Sequence, residues 1–269
     1  MKTLIVVQAR TGSSRLPGKV LLPLAGRPML ARQLERIRAA TTPFEVVVAT
    51  TVGPEDDPIR ELCRELGEAC YSGDPLDLLD RHYQAAREHA AELVVKVPSD
   101  CPLIDPAVID RTLAAFLAAE GRYDYVSNLH PATYPDGNDV EVLSFEALDS
   151  AWREARRPHE REHTTPFVWD QPERFRIGNV TWETGLDLSM THRFTVDYPE
   201  DYVFVAAVYG ALWSAAAPIF GLAEIFDLLS ARPGLLSLNR RHLGVNWYRH
   251  HLPELRTITP RETRLELAS

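Results

Sequence analysis

Cysteine is scarce in this 269-residue chain: Cys63, Cys70 and Cys101 are odd in number and lack metal-binding spacing. That excludes a disulfide framework and leaves three reduced packing thiols, as in a reducing compartment. Excess positive charge is missing too. A net charge of -9 speaks against a general role on nucleic acid or anionic membrane, so any phosphate binding must be local. Long apolar runs are absent, since the segment Tyr202 to Leu222 is broken by Ser214, Pro218 and two glycines. The N-terminus has one lysine and a short apolar strand where a secretory signal would have a longer apolar stretch. A cytoplasmic protein, bound to neither nucleic acid nor membrane, is expected.

What is present is an ordinary globular composition, 45% hydrophobic and 25% charged. It suits one large domain over residues 1–232, with a C-terminal extension over 233–269. Short β-rich runs at Thr3 to Val7, Glu45 to Thr50, Leu93 to Val97, Tyr123 to Ser127 and Phe194 to Val196 alternate with helical patterns. Pro28 to Ala39 and Pro106 to Ala119 put their apolar residues on one face, with Pro28 and Pro106 suited to the first turn. Pro199 to Ala217 and Leu222 to Leu229 are further helices, and Ser72 to Ala90 reads as a turn followed by an amphipathic helix. This order predicts an α/β fold, a Rossmann-like, mainly parallel sheet with helices on both faces. Ligands of such sheets bind beyond the carboxyl ends of the strands.

That rule puts QARTGSSRLPGK, Gln8 to Lys19, at the mouth of the first strand. It is not a P-loop: Gly12 and Gly18 enclose five residues where four are needed, and Val20 follows Lys19 where Ser or Thr would hold magnesium. No GxGxxG is present. The alternative is a loop whose backbone N–H groups, freed by Gly12 and Gly18, cradle an anion among Arg10, Arg15 and Lys19. Three cations match a triphosphate better than a single phosphate.

The run QARTGSSRLPGKVLLPLAGRPML resembles the N-terminal signature of the cytidylyltransferases that make CMP-activated sugar acids, the acylneuraminate and 3-deoxy-manno-octulosonate enzymes among them. VKVPSDCPLIDP (Val95 to Pro106) and FTVDYPEDY (Phe194 to Tyr202) resemble the two motifs that supply metal carboxylates. YPDGNDVEV and REHTTPFVW look most like the spore-coat polysaccharide biosynthesis subgroup. The resemblance implies a nucleotide-diphospho-sugar transferase fold, with CTP and a sugar-acid acceptor as substrates and Mg2+ as cofactor. It implies attack of an acceptor hydroxyl on the α-phosphorus of CTP, with loss of pyrophosphate. Arg10, Lys19 and Asp100 are the catalytic candidates. Ala9, Arg10, Gly12, Arg15 and Lys19 would bind the nucleotide, with Ser72, Gly73 and Arg81 at the base. Asp100 and Asp197 are the metal candidates, and magnesium bound with a nucleotide needs only one or two protein carboxylates. Each follows a predicted strand, so both can lie at one sheet edge. Asp105, before Pro106, reads instead as a helix cap. Asp74, Asp77 and Asp80 read as an acidic first turn rather than a metal cluster.

Acceptor recognition falls to the middle of the chain. NDVEV places Asp139 and Glu141 on the same side of a presumed strand. Arg161, His163 and Arg193 are candidates for a substrate carboxylate, although ARRPHEREH also fits a solvated charged face. The basic and aromatic stretch around Trp247 and Tyr248 suggests a packed tail or a subunit contact, which leaves a homodimer open. Two other classes remain: a glycosyltransferase of related fold using a nucleotide-sugar donor, and a non-enzymatic nucleotide-binding partner in polysaccharide assembly.

Overall fold

In the computed structural model, residues 1–266 are described. β1 (Thr3–Gln8) runs through the middle of a seven-stranded sheet, and its TLIVV run is buried throughout. Leu4 and Val6 face one core, Ile5 and Val7 the other, so both faces of the strand are covered. Burying each such aliphatic side chain stabilises the fold by roughly 1.5–3 kcal/mol relative to leaving it in water.

β4 (Glu45–Thr51) and β6 (Leu93–Lys96) flank β1 in parallel, and β5 (Ala69–Gly73) pairs in parallel with β4. Beyond β6 lie β8 (Glu141–Ser144), β7 (Tyr125–Ser127) and β9 (Ile177–Asn179), in the sheet order β5-β4-β1-β6-β8-β7-β9. β8 is antiparallel to both its neighbours, which sets Lys96 opposite Glu141 across one ladder. β2 (Pro23–Leu24) and β3 (Arg27–Pro28) form a separate small hairpin. The mainly parallel α/β architecture expected from the sequence is present.

Helices α1 (Met29–Ile37), α4 (Pro106–Leu117), α8 (Pro199–Leu212) and α9 (Leu222–Ala231) pack Leu34, Ile109, Phe204 and Ile225 into one core. α3 (Leu78–Glu88), α5 (Phe145–Glu154) and α7 (Pro166–Trp169) supply Tyr83, Leu148 and Trp169 to the other. α2 (Asp57–Leu66) and the short α6 (Pro158–His163) complete the set of α-helices among the described residues. Pro106 is in the first turn of α4, whose cap Asp105 accepts from the Ala107 amide and also from that of Leu222, tying α4 to α9. Asp77 caps α3 by accepting from the Asp80 amide.

Three expectations need correction. Pro28 belongs to the hairpin and precedes α1 rather than opening it. Phe194 to Val196 is extended but is no strand: its amides bond to the loop carbonyls of Asp136 and Asp100, because loops and not a strand lie beside it. Asp139 precedes β8, so it does not share a strand with Glu141.

Among the described residues the C-terminal segment has only short 3-10 turns, and polar contacts hold it. The Asn239 amide group donates to the Arg193 carbonyl at 2.9 Å, and Asp170 accepts the backbone N–H groups of Arg256 and Thr257. His159 Nδ1 and His251 Nδ1 lie 3.2 and 3.0 Å from the two oxygens of Glu254. Among the described residues no helix is long and apolar enough to cross a membrane.

Candidate active site

The loop after β1 is fixed at one end by a side chain far from it in sequence. Asp56, buried between β4 and α2, accepts from both the backbone N–H and the hydroxyl of Thr11 at 2.7 Å, and from the Thr51 hydroxyl at 2.6 Å. Burial alone would push this carboxyl up, but the donated bonds win and hold it below its usual value. At the other end Gly18 takes a left-handed φ of 67°, where a side chain would be strained. Among the described residues, the amides of Gly12, Ser14 and Arg15 meet no protein acceptor. They remain available to an anion.

Gly18 turns the chain into a 3-10 turn that buries Lys19. Its Nζ donates to Asp100 Oδ2 and to Asp197 Oδ1, each at 3.0 Å, and to the Val196 carbonyl at 2.7 Å. Burial would lower the ammonium's pKa, but the two carboxylates outweigh it and raise it. Asp197 also accepts from Arg15 at 2.7 Å and from Arg193 at 3.0 Å. Those three cations overcome burial and hold its carboxyl far below the ordinary range.

Two cavities meet at this cluster. The first, about 460 Å³, is lined by Ala9, Arg10, Ser13, Ser14, Lys19 and Arg81. Arg10 is exposed and makes no ion pair among the described residues. Arg81 is buried, yet its Nε and one Nη find no acceptor. Burial first, and the nearby Arg10 second, bring its pKa down to about 10. Arg81 lines the cavity, and a buried guanidinium with donors unused in the protein calls for a compensating anion or carbonyl. Ser72 and Gly73, expected at the base, lie on β5 opposite Thr50 and Thr51 and do not line the cavity. Gly73 still matters there, because a Cβ at that position would come within 2.8 Å of Arg81 Cγ.

The second cavity, about 410 Å³, contains both acidic candidates and an aromatic wall of His130, Trp169, Trp247 and Tyr248. His130 stacks on Trp169 with 4.2 Å between ring centroids. Here the expectations of carboxylate recognition need correction. Arg193 is spent inside the protein: it donates to Asp136, Asp197, Asp201 and the Val245 carbonyl, at 2.9, 3.0, 3.0 and 2.9 Å. Arg161 lines neither cavity, because it is bound to Asp77 and to the Trp152 carbonyl. His163 does face both cavities, but it stacks on Trp247 at 3.8 Å, and burial depresses its pKa well below the usual value, so it carries no charge. Glu141 lies in the floor with its oxygens taken by Lys96, the Tyr125 hydroxyl and the Thr165 hydroxyl. Asp139 differs from all of these: among the described residues its one side-chain hydrogen bond is from the Gly137 amide at 3.1 Å, and it has no ion pair.

The two cavities share Gln8, Arg15, Asp100, His163, Asp197 and Trp247. As a donor set for a divalent ion, the shared wall fits hard-cation chemistry, since Asp100 and Asp197 already converge on a single ammonium. Asp100 is the freer partner, with one oxygen bonded only weakly to the Cys101 thiol. The sequence reading assigns no role to Asp56 and His130, which lie outside its motifs, nor to Gln8, Lys96 and Asp136, which lie within them without being singled out. It treated Trp247 and Tyr248 as tail or contact residues, whereas both face the cavity.

A family model described as cytidylyltransferase matches residues 4–237, and the chain belongs to that family of transferases. It is similar in structure to a cytidylyltransferase from Leptospira borgpetersenii serovar Hardjo-bovis, with a TM-score of 0.82 and 31% identity, covering 88% of this chain and 97% of that one. It is 27% identical to a spore coat polysaccharide biosynthesis protein of Bacillus subtilis, covering 86% of this chain and 95% of the relative. It is 34% identical to a 3-deoxy-manno-octulosonate cytidylyltransferase of Hydrogenovibrio crunogenus, covering 54% of this chain and 58% of that protein. The resemblance carried by the first loop and the two aspartate motifs is therefore a family relation.

Proposed function

We propose that this enzyme transfers the cytidylyl group of CTP to a hydroxyl of a sugar acid, releasing pyrophosphate, in the biosynthesis of a surface polysaccharide in the cytoplasm. One observation carries the reading: a cavity with unpaired cations and a cavity with acidic and aromatic walls abut at Asp100, Asp197 and Arg15. A nucleoside triphosphate suits the first and a polyhydroxylated acceptor the second, so the reacting atoms would meet at the common wall.

In this reading the acceptor oxygen bonds to the α-phosphorus, the bond from that phosphorus to the bridging oxygen breaks, and the hydroxyl proton leaves to solvent. Asp100 and Asp197 would hold Mg2+, which when bound supplies positive charge to the phosphates. Lys19, bonded to both carboxylates, and Arg15, bonded to Asp197, would neutralise the triphosphate, while the loop amides and Arg10 would orient it. Arg81 would read the base. The test is pyrophosphate release from each of the four nucleoside triphosphates with Mg2+ and a panel of sugar acids. CTP alone should support it. Release with none of the four would sink the proposal, and turnover of a nucleotide sugar in its place would favour a glycosyltransferase.

A further inference from the structure

We propose that the acceptor carries an ammonium group, which Asp139 receives against the aromatic wall of His130, Trp169 and Tyr248. This deepens the acceptor half of the proposed function and rests on that reading.

The argument starts from charge. Outside the wall shared with the nucleotide cavity, Asp136, Asp139, Glu141, Asp187 and Glu262 line the acceptor cavity. Only Lys96, Arg193 and Arg261 oppose them there. Lys96 is committed to Glu141, its partner across the β6–β8 ladder. Arg193 is committed to Asp136 and to two further aspartates, and it is only 2% exposed. The two histidines add no positive charge: burial brings His130 down to about 4 and keeps His163 neutral as well. A substrate carboxylate entering this chamber would find no interior cation free to meet it.

Asp139 is the group left over. One of its oxygens accepts the Gly137 amide, and the other has no protein donor among the described residues. It lines the cavity between Glu141 in the floor and Asp100 on the shared wall. A carboxylate among carboxylates binds a cation better than a hydroxyl, because only a cation offsets the neighbouring charge. Trp169 and Tyr248 line the same cavity, and aromatic rings favour cations over neutral groups. A free acceptor on Asp139 selects an ammonium bearing N–H bonds over a fully alkylated one. The acid group of the same substrate is left to Arg261, an exposed residue of the cavity lining.

The experiment uses D-glucosaminate and D-gluconate, which differ in having an ammonium or a hydroxyl at one carbon, and N-acetyl-D-glucosaminate as a neutral third probe. Binding to the full-length protein is measured by calorimetry, with and without CTP and Mg2+. Glucosaminate should bind at least tenfold more tightly than either of the others, and Asp139→Asn should bring that ratio close to one. Equal affinities in the wild-type protein would mean that Asp139 reads hydroxyls and would overturn the proposal. So would binding of none of the three, or a ratio unchanged in Asp139→Asn. The wild-type comparison stands even if the variant does not fold. Failure of CTP itself to bind would instead overturn the nucleotide reading, and the acceptor ratio measured without nucleotide would still be readable.

Discussion

The cavity proposed for the nucleotide and the cavity proposed for the acceptor contain similar residue types and use them in opposite ways. On the nucleotide side Arg10 has no ion pair among the described residues, and Arg81 is buried with unused donors. On the acceptor side Arg193 has three carboxylates and Lys96 is locked to Glu141. Desolvating a cation is costly unless protein or ligand supplies compensating charge. The unpaired cations therefore mark where a ligand anion must come, and the paired ones mark architecture. Lys19 lies on the boundary, already bonded to Asp100 and Asp197.

The strongest test of that contrast is Arg193→Met. If Arg193 is architecture, its loss leaves Asp136, Asp197 and Asp201 without their common partner, and folding stability should fall by about 3–5 kcal/mol. Chemical denaturation would measure it. A variant that keeps its stability and only raises the acceptor KM would place Arg193 among the substrate ligands after all.

Next in size is the shared wall. Asp100→Asn should fold normally, since Asp100 is partly exposed and its principal side-chain bond is to Lys19, yet lose about a hundredfold in kcat. Steady-state pyrophosphate release gives the number. Near wild-type turnover would remove Asp100 from both the metal and the phosphates.

How much of this was legible in the sequence follows the same division. Arg10, Lys19, Asp100 and Asp197 lie in contiguous motifs, and the rule that ligands bind beyond strand ends is enough to bring them together. β1, β4 and β6 were legible because their apolar runs are continuous. β5 and β9 were not, being a small-residue edge and a three-residue strand. The acceptor side was misread for a different reason. Whether Arg193 or Arg161 is free depends on Asp136, Asp201 and Asp77, which are near or far in sequence without any pattern to announce the pairing. A motif shows that a cation is present; only the fold shows whether it is already spent. Asp56 was missed likewise, since the Thr11 it holds lies 45 residues away.

Arg81→Met sharpens the comparison from the nucleotide side. A buried guanidinium with unused donors destabilises the empty protein and stabilises the complex, so the variant should melt at a higher temperature than the wild type without ligand. Its CTP affinity should fall about tenfold, or about 1.4 kcal/mol. Thermal shift and calorimetry together decide it. A variant that melts lower and binds CTP equally well would make Arg81 an ordinary structural arginine.

The smallest effect belongs to Asp139, and its sign is informative. Burial, then the neighbouring Asp100 and Glu141, raise its pKa to about 6, against the opposing Gly137 amide bond and Lys96. The folded state therefore keeps a proton that the unfolded chain releases near the ordinary carboxyl value of 3.8. Between those two values the native protein binds more protons than the unfolded one, so stability falls as pH rises through the window and stays reduced above it. Because Asp139 lines an open cavity, the penalty is discounted to about 1 kcal/mol. Asp139→Asn, measured by chemical denaturation without divalent ions, should match the wild type at pH 4 and exceed it by about that amount at pH 8. Glucosaminate, by meeting the carboxylate with an ammonium, should stabilise the wild type at pH 8 and leave the variant nearly unmoved. A variant no more stable than the wild type at pH 8 would mean that Asp139 is already compensated within the protein, and the contrast between a free carboxylate and spent cations on the acceptor side would fail.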